Sequence, residues 1–344
     1  MVRGRTTNEL YHKGAIVADM NPSDSRVLVT GAGGFIGHHL VTYLKAKGYW
    51  VRGVDIKRPE YEETKADDFL VADLRNADAA IGSTEGIDEV YHLAADMGGI
   101  GYITGSHAEI TRNNTLIDLN MLDAAIKNGV KRFFYSSSAC VYAAHHQEDA
   151  NVTALKEEHA WPADPEPGYG LEKLYTEELC KYYQNDHGLE TRVARFHNVY
   201  GPLGAYDGGK EKAPAAICRK VASLPDGGEI EIWGDGKQTR SFMYIDDCLE
   251  GVHRLMRSDR SEPINLGTEE IVTIDELVDT VSKVAGKALK KVHDPSKPQG
   301  VRGRNSDNTI LRKVLGWEPS TRLETGLGVT YEWIAGRVGV TDSR

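Results

Sequence analysis

Cysteine is scarce in this chain. Its four cysteines (Cys140, Cys180, Cys218 and Cys248, in 344 residues) are spaced neither as metal ligands nor as the bridges of a small disulfide fold. That pattern argues against a metal centre and fits a reducing, cytoplasmic compartment. No apolar run approaches the ~20 residues of a membrane span. Met1 to Ser25 lacks the apolar core of a secretory signal, so residues 1–25 read as an N-terminal extension ahead of the first strand. A basic excess is also missing: 41 Lys and Arg stand against 51 Asp and Glu, a formal net charge of −10. This disfavours nucleic acid or an anionic membrane as a general partner, but local cations can still hold a small anion. There is no internal repeat or low-complexity tract. Hydrophobic residues, at 40%, are ample for a core.

What the chain does have is alternation. Val27 to Thr30 reads as a buried strand, and Phe35 to Lys47 as a helix closed by Gly48. Strands follow at Val51 to Asp55, Phe69 to Ala72 and Glu89 to Leu93. His107 to Asn128 has helical periodicity with Gly129 as its stop. Arg132 to Ser136 is a strand, Tyr169 to His187 a helix and Thr191 to Phe196 a strand. The pattern predicts an α/β fold with a doubly wound parallel sheet, its strand ends lined up on one ligand-binding edge. We assign residues 26–198 to this dinucleotide-binding domain.

After Asn198 the pattern changes. Gly and Pro cluster from Gly201 to Pro214, which reads as loop. Helices are expected at Ala215 to Ser223, Ile245 to Met256, Thr273 to Ala285 and Thr325 to Arg337, with short strands at Glu229 to Trp233 and Pro263 to Leu266. Residues 199–344 are expected to form mainly a smaller C-terminal substrate-binding lobe that exchanges elements with the first.

Two signals carry chemistry. Gly31-Ala-Gly-Gly-Phe-Ile-Gly37 lies between a strand and a helix. Gly31, Gly34 and Gly37 permit the tight turn, and the helix start at Phe35 and Ile36 offers amides to a pyrophosphate. Asp55, about ~20 residues on at a strand end, suits the adenosine ribose hydroxyls and would repel a 2′-phosphate, which favours NAD. Lys57 and Arg58 pull the other way. Asp73-Leu74 could contact adenine or cap a helix. The second signal is Tyr169-Gly-Leu-Glu-Lys173. Four apart on a helix, Tyr169 and Lys173 share a face. A phenol titrates near ~10 unaided. An adjacent ammonium and a nicotinamide cation would both favour phenolate, giving a base for alcohol oxidation.

These residues, with Leu93-Ala-Ala95, Ser136-Ser-Ser138, Asn198-Val-Tyr-Gly-Pro202, Trp233-Gly-Asp-Gly236, Thr239-Arg-Ser-Phe242 and Pro263-Ile-Asn-Leu-Gly267, resemble the extended short-chain dehydrogenase/reductase family from about Val27 to Trp333. The resemblance implies a Rossmann-type fold, bound NAD contacted also through Leu93, and a nucleotide-sugar substrate. Longer strings sharpen it: Ala95-Asp-Met-Gly-Gly99, Ser138-Ala-Cys140, Arg195-Phe-His-Asn198, Gly209-Lys-Glu-Lys-Ala-Pro214 and Val301-Arg-Gly-Arg-Asn-Ser-Asp307. They resemble a branch that inverts two carbons of a GDP-hexose.

For that branch the resemblance implies transient oxidation of C4, proton exchange at C3 and C5, and re-reduction. GDP-mannose would be the substrate, GDP-L-galactose the product and GDP-L-gulose a second product. Tyr169, Lys173 and Ser138 would serve the C4 step, with Cys140 and Lys212 as the second acid/base pair. A thiol needs modest stabilisation to become a thiolate, although a buried cysteine is also an ordinary core residue. Cys180, Cys218 and Cys248 fall in predicted helices and read as core. Arg240, Arg302, Arg304 and Lys220 are candidates for the diphosphate, and Asn198 and Gln238 for diphosphate or sugar hydroxyls. Ala139, Glu211, Ala213 and Thr239 flank these groups in the matching strings, and Gly98 would let the sugar approach the backbone. A homodimer through the His107 to Asn128 and Tyr169 to His187 helices is also implied. The rival readings are another NAD-dependent nucleotide-sugar epimerase or dehydratase, and a non-catalytic NAD-binding sensor or scaffold.

Overall fold

The computed structural model describes residues 22–98, 102, 105–151, 153–297 and 299–341; most of the predicted N-terminal extension lies outside them. Seven parallel strands form the central sheet. In chain order these are β1 (Arg26–Thr30), β2 (Trp50–Asp55), β3 (Asp68–Val71), β4 (Glu89–His92), β5 (Arg132–Ser138), β6 (Glu190–Phe196) and, from far along the chain, Ile264–Leu266. Their spatial order places β3, β2 and β1 on one side and β4, β5, β6 and Ile264–Leu266 on the other. The order reverses between β1 and β4, and the crevice at such a reversal is where doubly wound sheets bind ligands. β1 and β4 read Arg-Val-Leu-Val-Thr and Glu-Val-Tyr-His, nearly all buried, as strands covered on both faces must be.

Helices α1 (Phe35–Ala46), α2 (Ala77–Thr84), α3 (His107–Lys127) and α4 (Tyr169–His187) cross between these strands. Gly188 ends α4 in the left-handed conformation, with φ 74°. α2 has weak apolar periodicity and was not expected from sequence. Asn76 starts it by accepting from the amides of Asp78 and Ala79.

Ile264–Leu266 was predicted within the smaller lobe, yet it pairs with β6 from Ala194 to Phe196. Three residues with no alternation cannot reveal which sheet they join. Helix α6 (Ile245–Arg257) also returns to the first half, where Arg257 reaches the buried Glu89. The loop predicted to run to Pro214 ends earlier. Helix α5 (Ala213–Ser223) starts with Lys212 as its N-cap and Pro214 in its first turn, where a missing N–H costs nothing.

Asn265 fastens the substrate side. Its Nδ2 donates to the carbonyls of Leu155 (2.7 Å) and Asp307 (3.3 Å), and its Oδ1 accepts from Tyr142 and lies 2.9 Å from His197 Nε2. One buried amide thus pulls the 142–157 crossing and the segment carrying Arg304 onto the end of β6. Cys180, Cys218 and Cys248 are free and buried, as expected for core positions.

Arg195 and Glu177 form a buried two-pronged pair (2.9 and 2.6 Å), with Ser137 donating to the same carboxylate. Arg195→Met leaves that carboxylate dry and unpaired. The expected loss is about 3–5 kcal/mol in denaturant unfolding; a loss below about 1 kcal/mol would show that the pair is not a tether.

Candidate active site

The cavity at the sheet's reversal measures about 560 Å³ and is lined by residues from both halves of the chain. Glycine shapes one wall. A Cβ on Gly37 would lie 2.1 Å from the Gly31 carbonyl oxygen, and one on Gly33 would lie 2.2 Å from that of Lys57, so the turn closes only without side chains. Gly34 caps α1 and brings no side chain to its first amides, and Gly34, Phe35, Ile36 and Gly37 all line the cavity. Such a helix start accepts a pyrophosphate. Asp55 accepts from the amides of Gly33 (2.9 Å) and Lys57 (3.2 Å), which fixes its carboxylate at the end of β2. Lys57 pairs with Glu60 at 3.4 Å and Arg58 lies over Phe69, so both nearby cations are engaged. This donor set fits NAD.

Asp73, Leu74 and Leu93 also line the cavity. Asp73 does not cap α2, a role taken by Asn76; it pairs with Arg75 at 2.6 Å. Gly98 lines the wall as well, but a Cβ there would meet the Tyr102 ring at 3.0 Å, so packing of that ring accounts for the glycine. Gly99, its predicted turn partner, lies outside the described residues.

Tyr169 opens α4 and Lys173 follows one turn on. The Lys173 Nζ sits 5.7 Å from the Tyr169 ring centre and donates to the Tyr135 hydroxyl at 3.0 Å. Burial dominates and lifts Tyr169 above the ordinary tyrosine value; Lys173 does bring the phenol down, as expected, and Ser138 helps, but they offset burial only in part. A dry pocket penalises the phenolate more than one ammonium relieves. The protein alone therefore keeps Tyr169 protonated.

Ser138 ends β5, two residues beyond the predicted strand end. Its hydroxyl accepts from the Cys140 amide at 3.2 Å, capping the short turn Ala139–Val141. That turn packs Cys140 against Tyr169 and Ile110. Cys140 was expected to ionise easily, but burial raises its thiol. Arg304, whose Nη1 lies 3.5 Å from Sγ, lowers it less, and Glu166 raises it further. Lys212 is close enough for the Cys140 charge to act on it, and burial draws its ammonium below the ordinary lysine value. Glu211 braces the loop before it, accepting from the Gly209 amide at 2.7 Å and pairing with Arg219 at 3.3 Å. Ala213 simply opens α5.

The diphosphate candidates separate. Arg304 reaches Cys140, donates through Nε to the Gln147 Oε1 (2.5 Å) and lies 3.8 Å from Glu166. Arg240 is pushed down to about 9, first by burial and then by the neighbouring Arg304 charge. Two adjacent guanidiniums with one distant carboxylate between them call for an anion. Arg302 instead pairs with Asp235 at 2.9 Å, although its charge still acts on Arg240, and Lys220 pairs with Glu231 at 3.6 Å. Thr239 donates to the Ala150 carbonyl at 2.6 Å and Gln238 to that of Trp233 at 2.9 Å, but the Gln238 Oε1 is buried with no protein partner. Asn198 lines the cavity at positive φ (44°), held by its bond to the Ser241 carbonyl. Glu166 and Gln147 were missed from sequence; Glu166 lies in irregular chain and Gln147 ends a single 3-10 turn (Ala144–Gln147), both too short for any periodicity to mark a polar residue as inward-facing.

The fold and this site define a nucleotide-sugar enzyme, and the chain belongs to the NAD dependent epimerase/dehydratase family, whose model matches residues 27–267. Among curated relatives, GDP-mannose 3,5-epimerase 1 of Oryza sativa subsp. japonica is 51% identical over 91% of this chain and 82% of its own length. GDP-mannose 3,5-epimerase of Arabidopsis thaliana is 50% identical over 91% and 83%. Among solved structures, UDP-glucose 4-epimerase of Thermotoga maritima with UDP-glucose superposes with a TM-score of 0.82 at 28% identity, covering 91% of this chain and 99% of that one. NAD is the family's coenzyme, in keeping with the Gly31–Gly37 turn and Asp55.

Because burial raises the Cys140 thiol, its alkylation by iodoacetamide is expected to be slow at neutral pH and to accelerate as pH rises, with Cys140→Ala as the blank. Arg304→Gln removes the group that lowers it and is expected to slow the reaction further. Alkylation at neutral pH faster than that of a free thiol would contradict this assignment.

Proposed function

We propose that this chain inverts C3 and C5 of GDP-D-mannose, giving GDP-L-galactose with GDP-L-gulose as a second product. The observation that carries the reading is Cys140, a thiol packed against the redox tyrosine and 3.5 Å from a guanidinium. A dehydrogenase or C4 epimerase has no task for a second acid/base group there. The half-identity to plant GDP-mannose 3,5-epimerases supports the same substrate.

Bound NAD supplies a reversible hydride acceptor for C4 of the sugar; Gly31, Gly34, Gly37, Asp55 and Lys173 would hold it. Tyr169, as the phenolate that a nicotinamide cation beside Lys173 would favour, takes the proton of the C4 hydroxyl, and Ser138 donates to that oxygen as it becomes a carbonyl. With C4 a ketone, loss of a proton from C3 or C5 leaves charge that spreads onto the C4 oxygen. Cys140 and Lys212 then exchange those protons, one removing and one returning. Burial raises the Cys140 thiol and lowers the Lys212 ammonium, so it favours the thiol as proton donor and eases loss of a proton from Lys212. Tyr169 finally returns its proton to the C4 oxygen. Arg240 and Arg304 hold the diphosphate and so fix the hexose against Cys140.

We further propose a homodimer through α3 and α4, where Leu171, Tyr175 and Tyr182 are 54%, 48% and 52% exposed. The four free cysteines suit a cytoplasmic location. No helix among the described residues is long and apolar enough to cross a membrane.

Incubation with GDP-mannose in deuterated water is expected to place deuterium at C3 and C5, read by mass spectrometry and NMR; its absence from both carbons would end the double-epimerase reading. Tyr169→Phe is expected to abolish C4 oxidation and all exchange. Cys140→Ala should retain C4 oxidation but lose roughly 10²–10⁴-fold in exchange. Undiminished exchange in that variant would remove the thiol from the reaction.

A further inference from the structure

Behind Lys173, away from the cavity, lies a buried polar cluster. Asp118 of α3 and Glu172 of α4 are 1% and 2% exposed, and neither lines the cavity. The Tyr135 hydroxyl accepts from Lys173 and lies 3.0 Å from Asp118 Oδ2 and 3.2 Å from Glu172 Oε1. Thr176 donates to Asp118 at 2.9 Å and Asn114 to Glu172 at 3.1 Å. Lys173 Nζ is 3.8 Å from Glu172.

The protonation of His92 follows from its neighbours. Thr30 Oγ1 accepts from the amides of Leu93 and Ala94, both at 3.0 Å, so its own hydrogen is left for His92 Nδ1 at 2.8 Å. That nitrogen is an acceptor, and the neutral ring carries its proton on Nε2, 2.9 Å from Asp118 Oδ1. The cluster therefore holds two carboxyl groups and a single ammonium, all dry. Two carboxylates would leave a net buried negative charge, which is costly.

We propose that Asp118 and Glu172 hold one proton between them and act as a single counter-charge to Lys173, so that ionisation of the second carboxyl makes Tyr169 harder to deprotonate. The proposal rests on the reading of Tyr169 and Lys173 as the redox pair, and it makes Asp118 and Glu172 positioning residues. Asp118, with three donors around it, is the ionised member. Glu172 keeps the proton: burial, aided by the Asp118 charge and opposed by Lys173, pushes it up to about 8. Asp118 is held below the ordinary carboxylate range because the Lys173 charge and the hydrogen bond from His92 outweigh its burial.

The charged and titratable groups around Glu172 are His92 of β4, Asp118 of α3, Tyr135 of β5, and Tyr169, Lys173 and Cys180 of α4. With Glu172 protonated, Asp118 and Lys173 neutralise each other. Once Glu172 ionises, a second negative charge sits beside Lys173, and its field raises the Tyr169 phenol further.

The test uses the NAD-loaded enzyme and does not read turnover first. Infrared spectra of the wild type are expected to show the C=O band of a buried protonated carboxyl at neutral pH, lost as pH rises through about 8. The band should be missing in Glu172→Gln and lost at lower pH in Asp118→Asn, where the charge that holds Glu172 up is gone. Tyrosinate absorbance, with Tyr169→Phe subtracted, should show Tyr169 ionising at lower pH in Glu172→Gln than in the wild type. A wild type with no such band at neutral pH has both carboxyls ionised, which overturns the shared proton; this measurement needs no variant to fold. Identical Tyr169 titration in the two proteins overturns the counter-charge role. Retained C4 oxidation in Tyr169→Phe would instead sink the redox-pair reading and leave the carboxyl band as it was.

Discussion

Lys173 is 1% exposed, and the site depends on keeping its ammonium charged there. An isolated ammonium in so dry a place would lose its proton. Burial does act against the charge, but the Asp118–Glu172 pair, acting as one counter-charge, outweighs it and holds Lys173 above the ordinary lysine value. Those carboxyls come from different helices, and the hydroxyl that touches them and Lys173 comes from β5. The helices must therefore dock in one register for the lysine to remain a cation. Tyr169, one turn before Lys173 on the same helix, inherits its position from that docking.

Groups on the cavity wall and packed beside it show a complementary economy of charge. Tyr169, Cys140 and Lys212 are each moved by burial toward their uncharged forms. The guanidiniums of Arg240 and Arg304 supply positive field beside Cys140, with Glu166 as the carboxylate 3.8 Å from Arg304. A site built this way is poised for an anionic ligand. The acid/base groups can then change protonation inside a walled space, where each added charge acts strongly on its neighbours.

Much of this was legible in the residues. The alternation from Val27 to Phe196 marked nearly every strand of the sheet, because strands buried on both faces must be continuous apolar runs. Gly31 to Gly37 was readable because sterics leave no other residue type for Gly33 or Gly37. The pairing of Tyr169 with Lys173 followed from helical geometry alone. Ile264–Leu266 was seen as a strand, but which sheet it joins was not legible, since three residues carry no information about their partner. Among the arginines, residue type could not separate Arg304 from Arg302; only the fold turns one toward Cys140 and the other toward Asp235.

Composition and spacing, by themselves, determined the doubly wound architecture, the glycine turn and the shared helical face of Tyr169 and Lys173, because each follows from local sterics or from the period of one element. Tertiary structure alone decided the charge states. Whether Tyr169, Cys140 or Glu172 holds its proton depends on how much water is excluded and on which ions lie within a few ångströms. Those ions come from segments far apart in the chain: Asp118 from α3, Glu166 from the 142–168 crossing, and Arg304 from near the end. No local pattern encodes such distances, since they arise only when the strand ends converge on one edge of the sheet.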